Sequence, residues 1–216
     1  MYLKGKRILD IIISFLGLIL LAPFYLIIIL AIKLDSRGPV LFRQKRFGKD
    51  KSYFSILKFR TMRVNTPDNV PTHMLKNPEQ WITKAGRFLR KTSLDELPQI
   101  WNIFIGQMSV IGPRPALWNQ EDLIRERDEY KGRYGLTANQ IRPGLTGWAQ
   151  INGRDELPIK VKAGLDGEYI KKISFWFDVK CFLGTVTSVF RHDGIVEGGT
   201  GVMEVDKTAG KRTISG

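Results

Sequence analysis

The chain has 216 residues with 43% hydrophobic content, enough for one core plus an appendage but not for two large domains. Its 34 Lys and Arg against 21 Asp and Glu leave a net charge of +13, which directs it to polyanions: nucleic acid, anionic lipid or phosphorylated substrates. Cys181 is the single cysteine and His73 and His192 are the two histidines, which excludes an intramolecular disulfide and a zinc-type ligand cluster. Any metal must be held by oxygen.

From Ile11 to Ile32 no residue is charged and only Ser14 is clearly polar, so a straight helix here would reach about 33 Å, the thickness of a bilayer core. A cleaved signal peptide is disfavoured, because the stretch exceeds a usual apolar region and Lys33-Leu34-Asp35 offers no cleavage pattern. Lys4, Lys6 and Arg7 precede it and Lys33, Arg37, Arg43, Lys45 and Arg46 follow, which pulls both ends toward one membrane face. Pro23, near the middle, removes one backbone bond and predicts a kink or break, so a shallow re-entrant helix is preferred to a simple span. Asp10 lies three residues after Arg7, the spacing of a pair on one helix face.

Composition shifts at Asp35-Ser36-Arg37-Gly38-Pro39, which places an anchor over residues 1–36 and a charged, turn-rich domain over 37–193. Val40 to Met62 reads as a β-hairpin, 64–79 as a loop, Trp81 to Lys91 as a helix and Leu117 to Tyr134 as a solvated helix. Phe175, Val179, Phe182, Leu183, Val186 and Phe190 fall on one helical face, which suits either core packing or, with Trp at 101, 118, 148 and 176, a membrane surface. Residues 194–216 read as a loosely ordered extension. The fold class expected is α+β: a mostly helical monotopic membrane protein with a Pro-broken re-entrant N-terminal helix, amphipathic interfacial helices and a small β-hairpin.

Neither G-x-x-x-x-G-K-[ST], G-x-G-x-x-G nor a metal-holding Asp-x-Asp is present. The informative stretch is Arg87 to Pro115. Ser93 and Glu96 have capping-box spacing, which would make Glu96 a plain helix-start residue. The same geometry places Asp95 in a first turn, where the positive helix end keeps a carboxylate ionised and available as a nucleophile, with Glu96 free to hold Mg2+. Asp155-Glu156-Leu157-Pro158 repeats the tetrapeptide, but only the first copy has a serine before it and a long apolar helix expected after it. Two prolines flank Arg114, which would preset its guanidinium to grip phosphate, although Pro-Arg-Pro alone can be a surface turn. Arg142-Pro143-Gly144-Leu145-Thr146-Gly147-Trp148 sets an arginine beside two glycines whose bare backbone would admit a ligand, and Asn152-Gly153-Arg154 adds a turn and another cation.

Lys6-Arg7-x-x-Asp10, Lys58-Phe59-Arg60-Thr61-Met62, Ser93-Leu94-Asp95-Glu96-Leu97-Pro98-Gln99, Met108 to Pro115, Arg142 to Arg154 and Asp178-Val179-Lys180, taken in order, resemble the bacterial monotopic phosphoglycosyl transferases, in their minimal form. That resemblance implies that Asp95 attacks the sugar-linked phosphate of a UDP-sugar, expels UMP and carries a phosphosugar that undecaprenyl phosphate then accepts. It makes Glu96 the Mg2+ ligand and matches Lys58, Arg114 and Asp178 to active-site positions; Arg142 is a candidate phosphate contact from its own motif, with an ordinary loop the alternative. It implies the cytoplasmic face of the bacterial inner membrane, with anionic lipids as neighbours, and leaves a homodimer open. Ala22-Pro23 departs from the family's common Ser-Pro, Gln107 stands where many members have Asp, and residues 155–168 fit the pattern poorly. A membrane-anchored nucleic-acid-binding or scaffold protein is the competing reading, but the basic residues are scattered rather than interleaved with aromatics on one element.

Overall fold

A computed structural model of the chain describes residues 2–66, 77–153 and 157–191. His73, Arg154, Asp155, Glu156, His192, the 194–216 extension and most of the 64–79 loop lie outside the described residues.

Helix α1 (Tyr2–Asp35) runs without interruption through Pro23. The expected break does not occur: proline removes one hydrogen bond, but in so apolar a stretch the other backbone groups find no better partners than each other. Lys6, Asp10, Ser14, Ile28 and Ile32 are buried at helical spacing, while Ile12, Leu20 and Ile27 on the other faces are exposed. α1 is long and apolar enough to cross a membrane. Its inward stripe touches the globular domain from Lys6 to Ile32, about 39 Å along the axis. The contacts therefore run along most of the helix rather than at one end of it.

The expected hairpin is present. β1 (Leu41–Phe47) and β2 (Tyr53–Phe59) pair antiparallel, with Leu41 opposite Phe59 and Phe47 opposite Tyr53. Alternation turns Phe54 and Ile56 inward, where they pack with Ile103 and Met108. α2 (Lys84–Lys91) is shorter than the helix expected from Trp81, because Thr83 caps it by accepting from the Gly86 amide at 3.0 Å. Asp35, at the end of α1, accepts from the Ala85 amide at 2.7 Å and ties the two helices together.

α3 (Gln99–Phe104) has only six residues where a long apolar helix was expected; Gly106, at φ +92°, turns the chain out of it. β3 (Ser109–Ile111) pairs in parallel with β4 (Gly144–Thr146). Between them, α4 (Glu121–Asp128) covers less than the expected 117–134 and is not simply solvated, since Leu123, Ile124 and Arg127 are buried. The short α5 (Trp148–Ile151) is followed by α6 (Ile159–Lys172) and α7 (Phe175–Arg191).

α7 packs Phe177 and Cys181 into a core with Ile111, Tyr169, Ile170 and Ile173. The sequence stripe points elsewhere: Phe175, Phe182, Leu183 and Val186 are exposed, as is Trp176 at 77%. These exposed residues of the stripe therefore do not belong to that core.

Candidate active site

Lys58 continues the inward face of β2 at its open end, two residues beyond Ile56. Asn102 of α3 fixes the height of that strand by accepting from the Leu57 amide at 3.0 Å and donating to the Ser55 carbonyl at 2.9 Å. Its amide also donates to Gln107 Oε1 at 2.7 Å, so the residue that departs from the family pattern completes this splint. α3 thereby brings the segment before it, Leu94–Glu96, against Lys58.

That segment is a single 3-10 turn, and the expected capping box does not form. Ser93 has φ +56°, whereas a capping side chain needs extended backbone at that position, and its hydroxyl makes no cap bond. Glu96 turns instead into a cleft lined by Arg46, Ile56, Lys58, Gln99, Arg114 and Pro115. Its Oε1 accepts from Lys58 Nζ at 2.7 Å and lies 3.5 Å from Arg114 Nη2. Asp95 Oδ2 is 3.9 Å from the same Lys58 Nζ. Two carboxylates and two cations thus share one partly buried group.

Their electrostatics differ. Burial pushes the Glu96 carboxyl upward, but Lys58 and Arg114 outweigh it and hold the pKa down at about 2. Burial dominates at Asp95 and raises its pKa above the ordinary carboxylate value; Lys58 and Arg90 oppose this, and the Glu96 charge adds to it. The expectation that a helix end keeps Asp95 ionised is corrected, since one 3-10 turn carries no substantial macrodipole. Lys58 is the main group favouring its charged form.

A divalent cation fits the donor chemistry here if the substrate supplies oxygens. Glu96 Oε1 is engaged by the two cations, and the hydrogen bonds and ion pairs described for Glu96 all run through that atom. Among the described residues no cluster of three or more ligand side chains occurs. Mg2+ commonly takes one or two carboxylates together with substrate phosphates.

Two expected site residues lie elsewhere. Arg142 Nε donates to the Gly106 carbonyl at 2.8 Å, and Arg7 donates to the Ile103 and Phe104 carbonyls at 2.7 and 2.9 Å. Both cations thus serve the C-terminal end of α3, opposite Glu96. Asp10 does not pair with Arg7 but accepts from Ser109 Oγ and the Val110 amide at 3.1 and 3.0 Å. Asp178 accepts from Tyr2 at 2.5 Å and Tyr169 at 2.7 Å and pairs with Lys6, joining the start of α1 to α6 and α7. The side chains of this ion pair are each 10% exposed. Asp178→Ala leaves Lys6 buried without a counter-charge, and a loss of about 3–5 kcal/mol is expected in denaturant unfolding of the detergent-solubilised protein. Unchanged stability with lost turnover would return Asp178 to the active site.

The two glycines after Arg142 admit backbone, not ligand. A Cβ on Gly144 would lie 2.1 Å from the Gly112 nitrogen, and one on Gly147 would lie 2.0 Å from the Gly112 carbonyl oxygen. Their bareness lets β4 press against the start of Pro113-Arg114-Pro115.

Sequence reasoning missed Arg46. It lies on β1, lines the cleft and donates to the Pro115 carbonyl at 3.0 Å. Its alternation with Gln44, which accepts from it at 2.6 Å, was the available signal.

A family model described as bacterial sugar transferase matches residues 1–192. The UDP-glucose:undecaprenyl-phosphate glucose-1-phosphate transferase of Escherichia coli is 43% identical over 191 residues, covering 86% of this chain and 40% of the relative. A protein of the same description from Caulobacter vibrioides is 41% identical over 195 residues, with 87% and 70% covered. An exopolysaccharide production protein of Rhizobium leguminosarum is 38% identical over 195 residues, with 85% and 94% covered. Against the Escherichia coli protein and the Komagataeibacter xylinus glucose phosphotransferase, the chain spans 40% and 35% of the relative's length. With the match running unbroken from α1 through α7, the chain belongs to the bacterial sugar transferase family.

Proposed function

We propose that the chain transfers sugar 1-phosphate from a UDP-sugar to undecaprenyl phosphate, releasing UMP, by way of a phosphosugar carried on Asp95. The observation that carries this reading is Glu96 set against Lys58 and Arg114 in one cleft, with Asp95 beside it 3.9 Å from the same Lys58. Transfer of a phosphoryl group requires chiefly positioning and charge neutralisation, which this arrangement offers.

An Asp95 carboxylate oxygen attacks the phosphorus that bears the sugar. The bond from that phosphorus to the bridging oxygen breaks, and UMP departs with the electron pair. An oxygen of undecaprenyl phosphate then attacks the same phosphorus, giving the lipid diphosphate sugar and free Asp95. Lys58 favours the ionised nucleophile and faces the anionic substrate with Arg114. Glu96, anionic throughout, would hold Mg2+, which when bound neutralises charge on the diphosphate.

The lipid acceptor suits the exposed apolar faces of α1 and α7. Basic residues at both ends of α1 support the cytoplasmic face of the bacterial inner membrane, beside anionic lipids. Arg142 and Asp178 serve this reading as supports of α3 and of the α1–α7 junction.

The test offers a panel of UDP-sugars and undecaprenyl phosphate to the protein in detergent with Mg2+. Release of UMP, and a sugar-phosphate mass on the peptide bearing Asp95 when donor is given alone, is the expected result. Release of UDP, or turnover with no covalent adduct, overturns the scheme.

A further inference from the structure

Proline at 113 and 115 deprives this segment of two backbone donors, so its conformation depends on what its carbonyls accept. Three consecutive carbonyls are each taken by a different element. The Gly144 amide of β4 donates to Pro113 at 2.8 Å, Arg127 of α4 donates to Arg114 at 2.9 Å, and Arg46 of β1 donates to Pro115 at 3.0 Å. Arg127 is deeply enclosed: its side chain is 4% exposed, and its Nε and Nη2 reach Asp166 Oδ2 of α6 at 2.8 and 2.6 Å. The same Nη2 therefore bridges a buried carboxylate to the backbone of the residue facing Glu96. Lys162, also on α6, is the other cation acting on Asp166.

A buried ion pair is weak evidence for stability, since apolar residues of similar size often do as well. One that also holds the main chain of a cleft arginine has a further consequence. The planar guanidinium fork can satisfy both acceptors in fixed geometry, which a lysine ammonium on a flexible stem does not impose.

We infer that Arg127, locked by Asp166, is a positioning residue that sets Arg114 in the cleft, so that the packing of α4 on α6 governs how the substrate diphosphate is held. This rests on the reading of the cleft given above. Pairing and clamping are separable: α6 orients Arg127, and Arg127 orients the Arg114 carbonyl. Arg46, held by Gln44, provides the parallel support one residue on.

Removing Arg127 alone strands Asp166 in the interior, so the informative variant is Arg127→Met together with Asp166→Leu, which takes away both charges and the clamp. Its kcat/KM for UMP release is expected to fall between about tenfold and a hundredfold, the effect of a small displacement of a reacting-site group. In an Arg114→Ala background the same pair of substitutions should cost nothing further. Equal losses in both backgrounds, or no loss in either, overturn the clamp. Hydrogen exchange over residues 112–117, measured without substrate, should quicken in the pair variant relative to wild type, and unchanged exchange there also overturns it. Wild-type protein that releases no UMP with any UDP-sugar counts against the functional reading instead, and the exchange measurement then decides the clamp by itself.

Discussion

An Asp95→Asn protein is expected to lose more than about 10⁴-fold in UMP release while remaining folded and membrane-associated, because the amide oxygen cannot form the acyl phosphate that the scheme requires. The covalent adduct should vanish with it. The side chain is nearly isosteric, and the ion pair described for Asp95, with Lys58 Nζ, is long at 3.9 Å. An Asp155→Asn protein made in parallel should keep both turnover and adduct, since in the proposed scheme the phosphosugar is carried by Asp95, whose Oδ2 lies 3.9 Å from Lys58 Nζ. Undiminished turnover in Asp95→Asn, or an adduct lost only in Asp155→Asn, refutes the nucleophile assignment.

Lys58→Ala is expected to carry the second large effect, about 10²–10³-fold in kcat/KM at neutral pH, because in the proposed scheme one cation both faces the substrate and opposes the burial of Asp95. The direction of its pH dependence follows from the two acids. Glu96, held down at about 2, is ionised across the working range and does not set the acid limb of the rate profile. Asp95, raised by burial, should: in the proposed scheme activity is expected to fall as pH drops through its pKa and the carboxylate protonates. Without Lys58 the largest opposing influence on that burial is gone, so the acid limb should move to higher pH and part of the lost rate should return on alkalinisation. A limb that stays in place while the rate falls would assign Lys58 to substrate binding alone.

In the proposed scheme the two neighbouring carboxylates divide the work. Adjacent in sequence, they meet the same lysine at 2.7 and 3.9 Å, and only the nearer one also has Arg114 within reach. The closer pairings keep Glu96 anionic and suited to a cation. The looser one leaves Asp95 a carboxylate that burial makes more basic than usual, hence a better nucleophile once ionised.

Residue pattern alone marked the apolar length of α1, the hairpin around the turn at Phe47-Gly48-Lys49-Asp50, and the Asp95-Glu96 pair and arginine of which Glu96 and Arg114 meet in the cleft. Each is written in short-range chemistry: an uncharged run, alternation about a turn, an Asp-Glu pair, an arginine between prolines. Helix α6 escaped because its inward positions Lys162, Ala163, Asp166, Gly167, Tyr169 and Ile170 mix charged and small residues with the large ones, so its helical spacing carries little hydrophobic signal. The capping box failed for a related reason: spacing is local, but the left-handed backbone of Ser93 is imposed by the junction of α2 with the turn that follows. Only tertiary packing could decide that Arg142 braces the far end of α3, that Asp178 joins the start of α1 to α6 and α7, and that Arg127 reaches the carbonyl of Arg114. Charged side chains advertise their chemistry in sequence but not their partners, because a buried charge is tolerated only where a distant element supplies the opposite one.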